Sequence, residues 1–596
     1  MKKILVLAVI TTLLLNLTGC NKVEEQSETV EYKKEINKEE VMTFEINADE
    51  SAWQDMLDNA INEEYISADI TINGTTINNV GIRPKGNSSL TQVANDDTID
   101  RYSFKIKFDE YVDGQTWMGL DKIVLNNMYS DATYLKEYLS YDIMTYIGVE
   151  APLFAFADIT VNGSTWGFYL AVEDVDSGYL DRVANGEGEL YKPDNMDNEQ
   201  GQLNEGNTME LPGDGQTMPT PGADGQGDGQ TMPTPGADGQ GDGQTMPTPG
   251  ADSQGDGQTM IPPDFDENAS GMKEGNGFGG GMSGMAENGV SLEYTDDEIS
   301  SYSGIFDNAE TKTDESDYQR VITALKNLNE GTDLDTYVDV EAVLKYFAAH
   351  TVVVNLDSYV SSMAHNYYLY EKDGQISIIP WDYNLSFGGF QSSDATSVVN
   401  FPIDTPVSGI SIEERPLLSK LLEVPEYLEK YHTYIQEIVD GYFADGKFDE
   451  KIETLNTLIS DYVKNDPTAF YTFDEYETAV NELKALGNLR AESINGQLEG
   501  SIPSTTQGQE EDSSSLIDAS SIDLSAMGSQ GGNKNGFENN QGGMGGNGRP
   551  GDGGNFNLPE GLSMETIRNA REMIGSQTFD NLTDEQLEEL KALGLT

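Results

Sequence analysis

A 14-residue repeat interrupts the chain and limits which residues can belong to one folded core. The sequence DGQTMPTPGADGQG begins at 214, recurs at 228 and 242, and returns partly at 256. Each copy carries two Asp, no Lys or Arg and no aromatic residue. The period is too short for a helical solenoid, and Thr, Met and Pro cannot build a core. The pattern therefore predicts an unpacked acidic insert over 195–295 between two folded parts, 42–194 and 296–500.

The composition excludes several classes of protein. The 34 Lys and Arg against 104 Asp and Glu give a net charge of −70. This charge argues against a protein that binds nucleic acid and against electrostatic docking on anionic lipid. One Cys and three His exclude a disulfide framework and a Cys-rich zinc site. Hard cations held by carboxylates remain open.

The N-terminus predicts export and lipid attachment. Residues 1–20 join Lys2 and Lys3 to a short apolar run that ends in LTGC, which is typical of a signal peptide. The ending resembles a bacterial lipobox, in which Cys20 becomes the lipidated N-terminus. The alternative is an ordinary signal peptide with an incidental Cys. Residues 21–41 lack apolar periodicity and predict a flexible tether, so we expect an extracytoplasmic protein anchored by lipid.

The part over 42–194 is rich in strand signals. Alternation and turn residues predict strands over 41–46, 66–74, 75–89 and 101–108 and a hairpin over 156–175 that turns at Asn162-Gly163. Helices are predicted over 51–61 and 131–147, the second with Asp131 as N-cap and Gly148 as its end.

The part over 296–500 is mainly helical. Apolar periodicity predicts helices around 313–329, 336–350, 415–444, 449–464 and 474–496. A hairpin over 365–384, turning at Asp373-Gly374, separates them. Residues 501–558 are rich in Gly, Asn and Ser and predict a linker, and 559–596 predict a small helical pair.

The candidate functional residues are two carboxylates and one amide. The chain has no G-x-x-x-x-G-K-[ST], H-E-x-x-H or G-x-S-x-G motif, and no Rossmann G-x-G-x-x-G between a predicted strand and a predicted helix. It does have Asp357 in NLDSYV, Asn366 in HNYYLY and Asp382 in PWDYN. Phosphoryl transfer needs a carboxylate to orient a hydroxyl and oxygen ligands for Mg²⁺. These three residues supply that set.

The order of the upstream elements strengthens this interpretation. A Gly-containing loop over 85–89 precedes a strand with Lys105 and Lys107, then a helix with Glu137, then the strand YLAVEDV. This is the order of a protein-kinase N-lobe. A single lysine on a strand or glutamate on a helix is usually a solvated surface residue. The interpretation therefore depends on the order of the elements along the chain.

The chain resembles the CotH kinase family, the atypical protein kinases named for a spore-coat protein. The residues that carry the resemblance are VGIRPKGNSSL, SFKIKFDEY, LNNMYSDATYLKEYLSYDIMTYIGVEAP, ITVNGSTWGFYLAVEDVDSGYL, LYKPD, VNLDSY with HNYYLY, and IIPWDYNLSFGG. The resemblance covers about 42–194 and 296–500. It implies an α+β fold: an atypical protein-kinase-like two-lobed fold with a long disordered insert and a disordered C-terminal linker.

The resemblance also implies roles for single residues. Asp357 is the expected catalytic aspartate, and Asn366 and Asp382 are the expected ligands of Mg²⁺ or Mn²⁺. The residues expected to bind ATP are Arg83, Lys85, Gly86, Asn87, Ser88, Lys105 and Lys107, with Glu137 as a candidate partner of one of the last two lysines. Alternation does not choose between Lys105 and Lys107.

One segment departs from the family pattern. The family usually places the Asn close to the D-x-x-x-x-N spacing of kinases, whereas Ser358–His365 intervenes here. A longer loop changes either the geometry of the site or its peptide-binding face, which leaves the activity open.

The sequence therefore favours a surface-anchored kinase that transfers phosphate from ATP to Ser or Thr of a secreted or surface protein. Two alternatives stay open. One is a non-catalytic binding or assembly module with the same fold, and the other is an acidic surface adhesin that binds calcium through the repeats.

Overall fold

Alternating apolar residues build the first part of the fold from strands. In the strand SFKIK, Phe104 and Ile106 are fully buried, whereas Lys105 and Lys107 are only partly covered, as a period of two requires. The structure is a computed structural model that describes residues 30–96, 98–194, 288–392 and 394–528. Its strands are β1 (Val41–Ala48), β2 (Ile66–Ile72), β3 (Thr75–Lys85), β4 (Ser103–Lys107), β5 (Lys122–Asn126), β6 (Phe154–Val161), β7 (Ser164–Glu173), β8 (Glu189–Tyr191), β9 (Tyr367–Lys372) and β10 (Gln375–Pro380).

The first seven strands close into a barrel in the order β1-β2-β3-β4-β5-β7-β6. Neighbours are antiparallel except at the closure, where β1 runs parallel to β6 with Val41 opposite Phe156. The mixture of helix and sheet confirms the predicted α+β class. The closed seven-stranded barrel is not the sheet of a typical two-lobed protein kinase.

Helices surround the barrel and form the second part of the fold. They are α1 (Glu50–Asp58), α2 (Ser88–Ala94), α3 (Lys136–Ile147), α4 (Ser177–Ala184), α5 (Ser303–Phe306), α6 (Glu315–Glu330), α7 (Leu334–Tyr337), α8 (Val340–Val353), α9 (Ala395–Val399), α10 (Pro416–Leu422), α11 (Pro425–Ile438), α12 (Lys447–Asn465), α13 (Phe473–Glu499) and α14 (Thr506–Glu511).

Two predicted elements differ from the structure. The segment 75–89 is a strand that ends at Lys85 and continues into α2, so the glycine loop joins a strand to a helix rather than two strands. The helix predicted over 131–147 begins at Lys136, because Asp131 first closes a turn by accepting the amide of Thr133. The Asp131 carboxylate also accepts the amide of Lys136, and Gly148 ends the helix in a left-handed conformation as predicted.

The hairpin β9–β10 belongs to a second sheet of three strands in the order β10-β9-β8. It turns at Asp373-Gly374, both at positive φ, as predicted. Strand β8 pairs with β9 through Tyr191 and Leu369. This pairing brings the end of the first predicted part, residues 189–194, beside the hairpin that precedes Asp382.

The described residues bury two hydrophobic clusters. One fills the barrel and includes Phe44, Ile70 and Tyr169. The other joins the helices to the outside of the barrel. Helix α3 lies at the junction, since it packs against β6, α8 and α11.

Three chain segments pack where linkers were predicted. Tyr32, in the predicted tether, is fully buried and donates to Glu173 at 2.6 Å. Val290 and Leu292, at the end of the predicted insert, are fully buried. Residues 501–528, in the predicted linker, contain α14 and bury Ala519 and Met527. The predicted unpacked segments are therefore shorter than expected at all three boundaries.

Among the described residues, no helix is both long and apolar enough to cross a membrane. The signal peptide with Cys20, residues 195–287 with the repeats, residues 529–558 and the helical pair over 559–596 lie outside the described residues. Their predictions remain predictions.

Candidate active site

Asp357 and Asn366 meet although eight residues separate them. Helix α8 ends at Val353, and Asp357 lies in the loop that follows, with its amide donating to the Asn355 side chain at 3.2 Å. Asn366 stands directly before β9 at a positive φ of 55°. Its amide nitrogen donates to the Asp357 carbonyl oxygen at 2.9 Å and to Asp357 Oδ2 at 3.1 Å. The longer loop over 358–365 thus still brings the predicted pair together.

The same loop adds a residue that the sequence interpretation missed. His365 Nε2 lies 2.6 Å from Asp357 Oδ1. Burial opposes protonation of His365, but the hydrogen bond and charge of Asp357 raise its pKa above the usual range. The side chain of Asp357 is therefore fixed through both oxygens, by His365 and by Asn366. The position of His365 next to Asn366 in HNYYLY was the available signal.

Asp382 joins this pair from the other side. It follows β10 and Trp381 and takes a left-handed conformation with φ 58°. Burial and the charge of Asp357 raise the pKa of Asp382, while Lys85 and His365 oppose the shift. The charges of Asp357, Lys85 and His365 therefore all act on the carboxyl group of Asp382.

Glu137 enters the same cluster from α3. Its side chain is buried and accepts a hydrogen bond from the Asn126 side chain on β5 at 2.9 Å. Burial and the charge of Asp382 raise the pKa of Glu137 well above its usual range, against the influence of Asn126 and Lys85. The structure therefore places Glu137 near Asp382 and Lys85.

Tyr141, one turn after Glu137, connects the two carboxylates. Its hydroxyl oxygen accepts the backbone amide of Asp382 at 3.1 Å, and the hydroxyl group also lowers the pKa of Glu137. The i, i+4 spacing of Glu137 and Tyr141 on one helix was the signal for this contact.

Lys105 and Lys107 pair with carboxylates other than Glu137. Lys105 forms an ion pair with Asp174 at 2.9 Å, and Lys107 pairs with Glu110 at 3.1 Å. Lys85, at the end of β3, lowers the pKa of both Glu137 and Asp382. Its ammonium also lies 5.7 Å from the centre of the Trp381 ring. The structure thus corrects the expected pairing of Glu137 with Lys105 or Lys107.

The rest of the predicted phosphate loop is held by local contacts. Arg83 forms an ion pair with Glu63 and lies over the Tyr65 ring. Gly86 has φ 131°, and a Cβ there would lie 3.0 Å from the Ser89 hydroxyl, so the turn out of β3 favours glycine. The start of α2 is held by its own next turn: the Asn87 carbonyl oxygen accepts from Thr91, and Ser88 Oγ accepts from Gln92.

A further cation lies on the segment that β8 brings to the hairpin. The Lys192 ammonium is 5.5 Å from the ring centres of both Tyr368 and Trp381, and its charge lowers the pKa of Asp382. Lys192 belongs to the LYKPD motif, which carried the resemblance without assigning this lysine a role. Lys85 and Lys192 therefore place two cations beside the carboxylates.

His350 connects the loops of the two aspartates. It is buried on α8, with Nδ1 2.7 Å from the Tyr383 hydroxyl and Nε2 3.2 Å from Ser358 Oγ. Ser358 donates to the Asn355 carbonyl oxygen, so we assign the His350 proton to Nε2, with Nδ1 accepting from Tyr383. Burial lowers the pKa of His350 to about 3, which keeps the imidazole neutral. Two of the three histidines in the chain thus serve this site.

The donor set fits a hard cation with few protein ligands. In the described ranges, no group of three or more His, Cys, Asp and Glu is arranged to hold a metal ion. Mg²⁺ is usually bound by one or two carboxylates together with substrate phosphates and water. Asp382 and the Asn366 side-chain oxygen supply such a set, and the crowding of Asp382 and Asp357 that raises the pKa of Asp382 would be relieved by a cation.

Carboxylates and amides are residue types that can hold a hard cation, and lysines are residue types that can bind phosphate. The chain belongs to the CotH kinase protein family, whose model matches residues 82–221 and 266–494, more than half of the chain. The site residues described above lie in these two ranges, except Glu63 and Tyr65, which hold Arg83 from outside them.

One curated relative gives a weaker match. Inner spore coat protein H of Bacillus subtilis (strain 168) is 32% identical over 77 residues, which are 13% of this chain and 21% of that protein. The match thus spans about a fifth of the relative's length.

Proposed function

We propose that this protein is a CotH-like protein kinase that transfers the γ-phosphoryl group of ATP to Ser or Thr hydroxyls of a secreted or surface protein. The observation that carries the proposal is the convergence of Asp357, Asn366 and Asp382 with Lys85 and Glu137. These residues come from five separate places in the chain, and membership of the family supports the same interpretation.

Asp357 would orient the acceptor hydroxyl and take up its proton. His365 and Asn366 each occupy one of its carboxylate oxygens, and each oxygen keeps a second lone pair for the substrate. Because both contacts fix the rotation of the carboxylate, the acceptor would meet a base that is already oriented.

Lys85 and Lys192 would offset the charge of the ATP phosphates. Glu137 and Tyr141 would keep Lys85 and the Asp382 loop in place. The Gly86–Ser88 turn, Lys105 and Lys107 remain proposed nucleotide contacts at the edge of this site. Asn366 and Asp382 would hold Mg²⁺ or Mn²⁺, which would neutralise part of the negative charge of the phosphates.

Phosphate incorporation from radiolabelled ATP tests the proposal. The full chain is assayed with Mg²⁺ for self-labelling and for labelling of dephosphorylated casein. We expect Asp357→Asn and Asp382→Asn each to lower incorporation by about 10²–10⁴-fold. Asp461→Asn, an exposed site on α12, is the matched control.

Thermal melting in the presence of ATP and Mg²⁺ provides a second readout. The wild type should be stabilised and Asp382→Asn should not, because the variant lacks the cation-binding carboxylate. A folded protein that neither gains stability from ATP with Mg²⁺ nor incorporates phosphate would contradict the kinase proposal and favour the binding-module alternative.

The proposed location is the outer face of the cell membrane, with Cys20 as the lipid attachment point. Two or more acyl chains would anchor the protein stably. Metabolic labelling with a radioactive fatty acid should mark the wild type and leave Cys20→Ala unlabelled, and equal labelling of both would contradict the assignment.

A further inference from the structure

The last described residues return to the helix that carries Glu137. Residues 523–528, named the strap here, follow α14 and start beside α13, where the Asp523 amide donates to the Glu482 carboxylate at 3.1 Å. Leu524 and Met527 are buried. The Met527 carbonyl oxygen then accepts the amide of Ala132 at 3.1 Å. The strap thus joins α13 to the turn that precedes α3.

The strap ends on a fully buried lysine. Lys136, the first residue of α3, donates from its ammonium to the Gly528 carbonyl oxygen at 2.6 Å and to the Ser130 carbonyl oxygen at 3.4 Å. A buried ammonium is costly unless its hydrogen bonds are satisfied. The strap therefore provides the shorter of these two hydrogen bonds.

The approach of the strap is close enough to require glycine. Gly528 has φ 79°, and a Cβ at this position would lie 2.7 Å from the Ser130 carbonyl oxygen and 3.0 Å from the Ala132 amide. Both neighbours are backbone atoms, which cannot turn aside as a flexible side chain can. Any side chain at 528 would therefore displace the strap or the turn before α3.

Lys136 also contacts the loop of Asp382. Its carbonyl oxygen accepts hydrogen bonds from Ser140 Oγ at 2.8 Å and from Ser386 Oγ at 3.3 Å, and the two hydroxyl oxygens are 2.8 Å apart. Ser386 lies four residues after Asp382, and Glu137 directly follows Lys136. One residue thus connects the strap, the Glu137 helix and the proposed metal loop.

We propose that residues 523–528 act as a strap that sets the position of α3, with Lys136 as the positioning residue through which the strap keeps Glu137 beside Lys85 and Asp382. The effect on catalysis rests on the proposed kinase function, whereas the effect on α3 does not. The strap lies beyond residue 494, where the family match ends. The segment that positions α3 therefore lies outside the matched ranges.

Two glycines at positive φ differ in what an added methyl group would meet. Gly528→Ala adds a methyl group against backbone, whereas Gly500→Ala, at φ 76°, adds one where no atom lies within 4 Å. The two also differ in ψ, which is 139° at Gly528 and 16° at Gly500, so Gly528→Ala displaces the strap both through the backbone contact and through a conformation that favours glycine, whereas Gly500→Ala is the control for a methyl group in open space. Lys136→Met removes the ammonium at similar length, and Lys136→Arg restores a cation.

Hydrogen exchange of the full chain without nucleotide is the first readout. We expect amide exchange over 136–147 to rise about 10-fold in Gly528→Ala and Lys136→Met, less in Lys136→Arg, and to be unchanged in Gly500→Ala, since local opening depends on local contacts. If exchange over 136–147 rises no more in Gly528→Ala and Lys136→Met than in Gly500→Ala, the strap proposal is wrong.

Steady-state kinetics is the second readout. We expect Gly528→Ala and Lys136→Met to lower kcat about 10-fold with little change in the KM for the acceptor, because a displaced Glu137 affects the chemical step. If α3 loosens but kcat is unchanged, Lys136 has only a structural role and the catalytic part of the proposal is wrong. If no variant and no wild type transfers phosphate, the proposed function fails while the exchange result still decides whether the strap positions α3.

Discussion

Helices α3 and α12 lie in the same fold but differ in how much of their surface is buried and in which residues are buried. Helix α12 buries five of its nineteen residues, Phe448, Ile452, Leu455, Ile459 and Val463, at steps of three or four. Helix α3 buries ten of its twelve residues, including Lys136, Glu137, Ser140 and Asp142. One helix has an apolar stripe and a solvated face, and the other is buried except at Thr145 and Tyr146.

The difference shows which contacts determine the position of α3. A solvated polar residue on α12 is served by water, whereas each buried polar residue on α3 needs a partner from elsewhere in the chain. Asp142 illustrates this, since Lys38, Tyr442 and Lys451 all bind its carboxylate within 2.8 Å. The position of α3, and of Glu137 on it, therefore depends on segments distant in sequence.

The largest expected difference between the two helices concerns activity. Glu137→Ala should lower phosphate incorporation at least about 100-fold, since it removes the carboxylate beside Lys85 and Asp382. Glu453→Ala on α12 should change nothing, because Glu453 is exposed and pairs only with Lys484 within the described residues. Equal activity of the two variants in the radiolabelled ATP assay would contradict the role of α3.

The next effect concerns stability. Asp142→Ala should lower the free energy of unfolding by about 2–3 kcal/mol, since it removes two hydrogen bonds and a further ion pair of one buried carboxylate. Asp461→Ala on the exposed face of α12 should change it by less than about 0.5 kcal/mol. Chemical denaturation measures both, and similar values for the two variants would mean that burial does not distinguish the helices.

The comparison extends to α8, which packs against α3 and carries buried His350. Burial lowers the pKa of His350 from 6.5 to about 3, so the unfolded chain takes up this proton first as the pH falls. This group's contribution to stability is present above pH 6.5 and is lost progressively toward pH 3. From pH 7.5 to 5.5 it should fall by about 1.4 kcal/mol.

Denaturation of wild type and His350→Gln at pH 7.5 and at pH 5.5 measures this contribution of His350 to the free energy of unfolding. The stability advantage of the wild type over the variant should shrink by that amount at pH 5.5. His432→Gln is the control, since His432 is about a third exposed. A difference between wild type and His350→Gln that does not depend on pH would show that His350 is not neutral by burial.

The smallest expected effect concerns single hydroxyl groups. Ser140→Ala should cost about 1 kcal/mol, because its buried hydroxyl joins the Lys136 carbonyl oxygen to Ser386. Thr457→Ala on α12 removes a similar bond to the Glu453 carbonyl oxygen, but at an exposed site, and should change stability by less than about 0.5 kcal/mol. Equal losses in urea denaturation would remove the distinction between buried and exposed hydroxyls.

Much of the fold could be predicted from local pattern. Alternation in SFKIK predicted β4, Asn162-Gly163 predicted the turn between β6 and β7, and Gly148 predicted the end of α3. These features depend on a period of two or on a positive φ, and both are visible in a short window of sequence.

The site was predictable where motif order carried the information. Asp357, Asn366, Asp382 and Glu137 converge, as their order in the chain indicated. The partner of Glu137 was not predictable, because alternation places Lys105 on a face of its strand without saying which carboxylate lies across from that face. His365 and Tyr141 could have been found from their spacing to Asn366 and Glu137, whereas Lys192 and His350 act through contacts that no spacing rule describes.

The sequence by itself determined the elements, the α+β class and which carboxylates could form a site. Only the tertiary structure decided that β1 closes the barrel against β6, that Lys105 pairs with Asp174 rather than with Glu137, and that residues 523–528 return to Lys136. The physical reason is that a local pattern records which side of an element is buried. The identity of the group that covers it depends on contacts between segments up to 392 residues apart.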